Sequence, residues 1–307
     1  MTIRYGVIGT GALGGFYGGM LARAGKDVHF LFNSDYQHVK KHGLRIDSIS
    51  GNFHLSQVNA YALSDQMPLC DVLLVCLKTT NNHLLPTLLR PILHANSVVV
   101  LIQNGLGLEA DLSQQMPYTA IAGGLAFICA SKTGPGHITH HDYGKLNIGL
   151  HCGNAETILR QVCNDFNEAN IPAHFVDDLN QARWQKLVWN IPFNGLTVVM
   201  NSATDQLIQQ KHSRQLILEM MGEVIHAAHH CGAHIAPHFD QKMIELTENM
   251  APYAPSMKLD YDNQRPMEIH YIYTRPLEIA HKAGFEMKRV VMLEAQLQFL
   301  EEKNRNR

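Results

Sequence analysis

The sequence lacks most features that would take a chain out of the ordinary globular class. Its six cysteines, Cys70, Cys76, Cys129, Cys152, Cys163 and Cys231, form no C-x-x-C pair. They sit mostly among apolar neighbours, which argues against a disulfide framework and suits reduced thiols in a cytosol. Positive charge is not in excess: 25 Lys and Arg stand against 27 Asp and Glu, a formal net charge of -2. Little could condense along a phosphate backbone, so nucleic acid is not expected as a partner. No apolar run approaches the roughly 20 residues a membrane span requires. The N-terminus enters a strand pattern at once and leaves no room for a charged leader and signal core. The expectation is a soluble, cytoplasmic protein with no membrane partner. No G-x-S-x-G nucleophile turn is present, which disfavours a Ser-His-Asp hydrolase, and no internal repeat or low-complexity tract is visible.

What is present is enough apolar material for a sizeable core. At 307 residues and 46% hydrophobic, the chain has the length of two domains of roughly 150 residues each. From Ile3 to about Asp177, short β-rich apolar runs alternate with turns and helical stretches. Ile3 to Ile8, Val28 to Phe32, Val72 to Leu77 and Val98 to Gln103 are apolar on both faces, as strands covered by helices on both sides should be. Weaker strand signals at Ile121 to Ala130, Lys145 to Leu150 and Ala173 to Val176 include some expected to run antiparallel. Ser131 to His141, centred on Gly134, Pro135 and Gly136, reads as a turn, because strand signals resume directly after it.

After Asp178 the period changes. Leu216, Ile217, Met220, Met221, Val224, Ile225 and Ala228 recur at three- and four-residue steps, one apolar stripe on a long helix that should stop at Gly232. Similar patterns run from Gln181 to about Met200, Phe239 to Asn249, Glu268 to Ala283 and Lys288 to Lys303. The fold class expected is α/β: a doubly wound N-terminal sheet over 1–177 and an all-helical C-terminal domain over 178–307.

The first strand runs directly into Gly9-Thr10-Gly11-Ala12-Leu13-Gly14, a G-x-G-x-x-G pattern that opens a helix ending near Gly25. Gly9 permits the tight turn, Gly11 lets the backbone approach a pyrophosphate, and Gly14 lets helix and strand pack closely. Free N–H groups and the positive dipole end of the helix then face the phosphates. In isolation the pattern is weak. Placed between a first strand and a helix, it makes the domain a Rossmann-type dinucleotide binder. The end of the second strand normally carries an acid for ribose hydroxyls or a cation for a 2'-phosphate. Here it reads Phe32-Asn33-Ser34-Asp35; Asn33 carries neither charge, but as a cofactor-binding residue it, like Ser34, can hydrogen-bond either ribose or phosphate. Lys78, after the third strong strand, can supply a positive charge, so NADP(H) and NAD(H) both stay open.

Nineteen histidines raise a metal reading, most of all His226 and His230, spaced i, i+4 on the long helix. No H-E-x-x-H occurs, and imidazoles on a solvated face explain the cluster with fewer assumptions.

Four further motifs follow in order: Leu77-Lys78-Thr79, Gln103-Asn104-Gly105-Leu106-Gly107, Trp184-Gln185-Lys186-Leu187-Val188-Trp189-Asn190, and Pro255-Ser256-Met257-Lys258-Leu259-Asp260 with Met267-Glu268-Ile269-His270-Tyr271-Ile272 behind it. With them the chain resembles the ketopantoate reductase family over essentially its whole length. The resemblance implies reduction of 2-dehydropantoate to pantoate, in pantothenate biosynthesis, with NADP(H) favoured as cofactor and a homodimer suggested. It matches Gly9 to Gly14 with the pyrophosphate turn and Lys78 and Asn104 with positions near cofactor and substrate. It also matches Lys186 with the catalytic acid, Asn190, Asn194 and Ser256 with substrate binding, and Glu268 with a carboxylate that contacts the cofactor.

Chemistry alone makes sense of these types. Hydride addition to a ketone develops negative charge on oxygen, and a lysine can both stabilise that charge and release a proton. Lys186, Asn190 and Asn194, four residues apart, form a polar row on one helix along which a small keto acid could lie. Ser256 can hydrogen-bond a carboxylate, and Glu268 can accept from ribose hydroxyls or orient Lys186. The bland alternatives are a turn for Asn104 with Gly105, a helix N-cap for Ser256, and a structural role for Asp260.

The departures from the family pattern cluster where substrate should sit. Tyr253 and Thr204 stand at frequent Asn positions, Asn33 replaces an arginine, Pro192 interrupts the lysine helix, and Phe285 to Arg289 lacks a usual proline. Two alternatives follow: a related dehydrogenase of another small carbonyl compound, or a catalytically silent dinucleotide-responsive regulator.

Overall fold

The computed structural model describes residues 2–250 and 254–305. The chain divides into two compact units: unit 1 runs up to Gln103 and resumes over Leu108–Leu179, and unit 2 consists of Asn104–Gly107 together with the chain from Asn180 onward.

Unit 1 contains, in order, β1 (Arg4–Ile8), α1 (Ala12–Arg23), β2 (Asp27–Leu31), α2 (Tyr36–His42), β3 (Leu44–Ser48), β4 (Phe53–Leu55), β5 (Asn59–Tyr61) and β6 (Val72–Val75). There follow α3 (Leu85–Leu89), β7 (Val98–Leu101), α4 (Leu108–Gln115), β8 (Ala120–Gly134), β9 (His137–Cys152), α5 (Glu156–Glu168) and β10 (Ala173–Phe175). The sheet order is β4-β3-β9-β8-β7-β6-β1-β2-β5, with β10 on β9. From β5 through β8 every neighbouring pair is parallel, whereas β8 with β9 and β3 with β4 are antiparallel. The four strands apolar on both faces, β7, β6, β1 and β2, lie side by side in the parallel part of the sheet, where burial on both faces is the rule. Strand order reverses between β1 and β6, so the loops leaving those two strands flank a topological switch point, the usual place for a ligand in such sheets.

The stretch Ser131 to His141, expected to be a turn, is mostly strand: only Pro135 and Gly136 separate β8 from β9. Its polar residues pair across the ladder, Ser131 Oγ with His141 Nε2 at 2.9 Å and Thr133 Oγ1 with Thr139 Oγ1 at 3.2 Å. Cross-strand pairing of this kind stabilises strands that read as loop.

Unit 2 is helical: α6 (Leu179–Val199), α7 (Thr204–Gln209), α8 (Lys211–His230), α9 (Phe239–Glu248), α10 (Ser256–Asp262), α11 (Arg275–Lys282) and α12 (Lys288–Arg305). The stripe on α8 is its buried face, with Ile217, Met220, Met221, Val224, Ala227 and Ala228 in the core. Cys231 caps that helix and Gly232 follows in the left-handed region at φ +75. α6 passes through Pro192 without ending, although proline leaves the Val188 carbonyl without its helical donor. One turn of π-helix, His270–Thr274, leads into α11.

Candidate active site

The glycine turn has the geometry its sequence requires. Gly9 takes φ +94, and a Cβ there would lie 2.6 Å from the Leu77 amide nitrogen. Bare backbone therefore lets the turn after β1 meet the turn after β6. A Cβ on Gly14 would stand 2.1 Å from the Gly9 carbonyl oxygen, so α1 can start this close to β1 only without a side chain there. Gly11 is the opposite case: nothing lies within 4 Å of the Cβ it would carry. That open cradle at the start of α1, under free helix N–H groups, fits a pyrophosphate. Ala12 and Leu13 form the first helical positions, and Thr10 ties the turn to β2 through its hydroxyl, 3.4 Å from the Leu31 carbonyl.

Beyond β2, Asn33 and Ser34 are exposed while Asp35 is buried. The Asp35 carboxylate accepts from Lys132 Nζ at 2.7 Å, Gly136 N at 2.9 Å and Ser34 Oγ at 3.1 Å. Burial opposes its ionisation, but these donors outweigh that cost and hold the carboxyl below its ordinary range. Lys78, exposed, begins the turn after β6. Gln103 fixes that turn by donating to the Leu77 carbonyl at 2.8 Å and to Asn82 Oδ1 at 2.7 Å. Sequence reasoning gives Lys132 no notice and assigns Asp35 and Gln103 no role. Besides its place at the head of a motif, the signal for Gln103 was a polar residue ending an otherwise apolar strand.

In unit 2 the polar row lies on α6. Lys186 keeps part of its surface open as a residue, yet its ammonium end is enclosed. Burial and the nearby charge of Arg183 pull its pKa from an ordinary 10.5 down to about 7, against an opposing pull from Glu268. Arg183, buried and three residues before Lys186 on the helix, was another position the sequence reading missed. Glu268 is buried as well. One turn after Lys186, Asn190 is buried with no partner for its Nδ2. An amide donor left unpaired in this way costs stability, and it fits a site waiting for an acceptor. Asn194 is spent differently, its Oδ1 accepting from the Met257 amide at 3.3 Å.

That bond brings Asn194 beside Ser256, which opens α10 and so does not cap it; Pro255 holds the cap position, with no side-chain cap bond. Asp260 is structural in its bonding, paired with Arg265 Nε at 3.0 Å. Thr204 is buried at the start of α7, and Tyr253 lies outside the described residues. Asn104 belongs to the segment that clusters with unit 2. There the Leu106 amide donates to the Tyr271 carbonyl at 2.9 Å. Gly105, at φ +111, would place a Cβ 2.5 Å from that same oxygen. The Asn-Gly pair therefore serves close approach to the π-turn as well as turn geometry.

His226 and His230 lie against the Phe285 ring, with centroids 6.1 and 5.0 Å away. Among the described residues no group of three metal-ligating side chains is positioned for a metal ion, and no helix is long and apolar enough to cross a membrane.

Comparison with known proteins identifies the family. The family described as "Ketopantoate reductase PanE/ApbA" matches residues 5–153, and its C-terminal counterpart matches 178–301. A 2-dehydropantoate 2-reductase from a Nostoc species is 44% identical, the match covering 98% of this chain and 96% of that protein. A crystal structure of 2-dehydropantoate 2-reductase from Geobacter metallireducens aligns with a TM-score of 0.93 at 36% identity, covering 96% of this chain and 99% of that one. Another, from Methylococcus capsulatus, aligns with a TM-score of 0.91 at 29% identity, over 98% of each chain.

Proposed function

The chain belongs to the ketopantoate reductase family, and we propose that it reduces 2-dehydropantoate to pantoate with NADPH, Lys186 supplying the proton. It is an oxidoreductase that forms a CH–OH group from a small keto acid. The observation that carries the proton-donor assignment is an enclosed lysine with its pKa lowered to about 7, one helical turn from an amide nitrogen, Asn190 Nδ2, with no protein partner.

The bound nicotinamide supplies the hydride, and the chain supplies the rest. As the carbonyl carbon accepts the hydride, its oxygen gains negative charge, and the Lys186 ammonium stabilises that charge and delivers a proton from Nζ. A donor whose pKa lies near the working pH is protonated often enough to act and gives up its proton readily. An ordinary surface lysine would hold its proton too firmly. Glu268 favours the charged form of Lys186 and so keeps the donor loaded. Asn190 Nδ2 offers a hydrogen bond to a substrate oxygen, and the Ser256 hydroxyl serves the carboxylate. Asn194 keeps only its amide hydrogens for substrate, because Met257 takes its oxygen.

Gly9 to Gly14 hold the pyrophosphate. Preference for the phosphorylated cofactor is supported by the Lys78 cation and by the absence of an available acid after β2, where the Asp35 carboxylate is already taken by three donors. The test is a panel of 2-keto acids, 2-dehydropantoate included, assayed with NADPH and with NADH by loss of nicotinamide absorbance. Turnover is expected to be fastest with 2-dehydropantoate and NADPH. Tight cofactor binding with no turnover on any keto acid would replace the reductase with a regulator.

A further inference from the structure

We propose that Lys132, carried by the β8–β9 hairpin to the end of β2, is a second cation, in addition to Lys78, that reads the 2'-phosphate of the cofactor, and that Asp35 holds it in position. This rests on the NADPH reading above.

The place is fixed by backbone geometry. β2 runs parallel to β1 in a register that sets Leu31 beside Ile8, and Thr10 bonds the glycine turn to the Leu31 carbonyl. The residues just after β2 therefore flank the phosphate turn, where the adenosine ribose of a bound dinucleotide is recognised. That position needs a cation for a 2'-phosphate, and the local sequence offers only neutral Asn33 and Ser34 with acidic Asp35.

The hairpin corrects the charge. Its tip is anchored on β3 and α2: the Gly136 carbonyl accepts from Arg45 N of β3 at 2.8 Å, and Gly136 lies against Val39 and His38 of α2. Gly136 N also donates to Asp35. Within that frame Lys132 Nζ and Ser34 Oγ converge on a single oxygen, Asp35 Oδ1, at 2.7 and 3.1 Å. An ammonium has three donors and Asp35 occupies one. The Lys132 side chain is 34% exposed and the Asp35 side chain 7%, so an incoming phosphate meets the cation and the serine hydroxyl while the carboxylate lies behind them. Asp35, with its oxygens occupied, is a positioning residue for Lys132 and does not act as a hook for a ribose diol.

The experiment measures binding, apart from turnover, by calorimetry of the full-length protein with adenosine 2',5'-bisphosphate and with 5'-ADP. Neither ligand carries nicotinamide. Loss of one charge-assisted phosphate contact is expected to weaken the bisphosphate roughly 10- to 100-fold in Lys132→Met. Binding of 5'-ADP should stay within about twofold, since its contacts are to the glycine turn. Lys132→Arg should keep most of the discrimination, and in the wild type the difference between the ligands should shrink as salt rises. Equal weakening of both ligands in Lys132→Met, with Lys132→Arg equally impaired, would make Lys132 a strut of the hairpin and overturn the inference. So would a Lys132→Met protein that still discriminates as the wild type does. A wild type that binds both ligands equally would instead remove the NADPH reading itself.

Discussion

In unit 1 the Asp165 carboxylate, inside α5, is met by the Tyr5 hydroxyl at 2.5 Å, Lys26 Nζ at 2.8 Å and Gln161 Nε2 at 3.1 Å. Burial would keep it protonated, but those donors prevail and its pKa falls below the ordinary range. On α6 of unit 2 the balance is reversed. Burial prevails over Glu268, Lys186 loses most of its affinity for a proton, and Asn190 Nδ2 and Trp184 Nε1 have no partners. The first centre joins β1, the turn between α1 and β2, and α5, and asks nothing of a ligand. The second costs stability in the free protein, and such a cost persists where the groups serve chemistry.

The largest test of that contrast is Lys186→Met. Turnover should fall by roughly 10² to 10⁴, with the NADP⁺ dissociation constant almost unchanged. The same variant should melt at a higher temperature than the wild type. Between pH 7 and 10 the unfolded chain binds a proton at this lysine that the folded chain does not, so this group's contribution to wild-type stability rises with pH across that window. The thermal advantage of Lys186→Met should accordingly be greatest near pH 7 and shrink toward pH 10. A variant that is both inactive and less stable at every pH would mean that the lysine was a structural member like Asp165.

The pH profile sharpens the same point. Reduction at saturating cofactor should decline above about pH 7 as the donor empties. In Glu268→Gln, which removes the charge that favours the ammonium, the decline should begin at lower pH; an unmoved limb would detach Glu268 from Lys186.

The glycine turn allows a comparison within unit 1. Gly11→Val projects into open space, so it should fold normally yet weaken NADP⁺ by at least about tenfold, by crowding the phosphate from its charge-assisted contacts. Gly14→Val forces its side chain onto the Gly9 carbonyl and should lower the melting temperature together with affinity. Chemical denaturation separates the two: equal stability losses would sink the distinction. Smallest of all, Asp165→Asn should cost about 1–3 kcal/mol and Tyr5→Phe about 1 kcal/mol in urea unfolding, with KM and kcat unchanged. A kinetic effect at either would erase the division between the two centres.

The fold class was readable because the central strands are apolar on both faces and α8 carries one continuous stripe; both patterns come from burial that no other arrangement satisfies. Three strands escaped notice. β3, β4 and β5 are short and lie toward the sheet margins, where one side stays wet: Arg45 and His54 are exposed between buried or half-buried neighbours. The distal half of the β8–β9 hairpin was hidden by its polar residues, several of which, such as His137 with Asp47 and His140 with Ser48, find partners about 90 residues away. The same distance conceals the Asp35–Lys132 pair, whose members are 97 residues apart. Glycine spacing and the row on α6 are local, so a candidate phosphate turn shows in the sequence itself, and the resemblance to a family singles out Lys186 within that row. A depressed lysine pKa could not, since it depends on Arg183, Glu268 and the packing around them.

The loop Asn104–Gly107 carries a consequence for how this protein can be divided. Leu106 sits in the apolar cluster of unit 2 with Trp184, Ile272 and Tyr273, although the chain on both sides of it belongs to unit 1. No single cleavage yields a whole C-terminal piece: a fragment starting at Asn180 would be missing a side chain from its own interior and the amide that occupies the Tyr271 oxygen. On the ribosome, Leu106 emerges before the helices that will enclose it, and its burial waits for the end of translation. Dissection, domain exchange and circular permutation must all carry these four residues with the helical part.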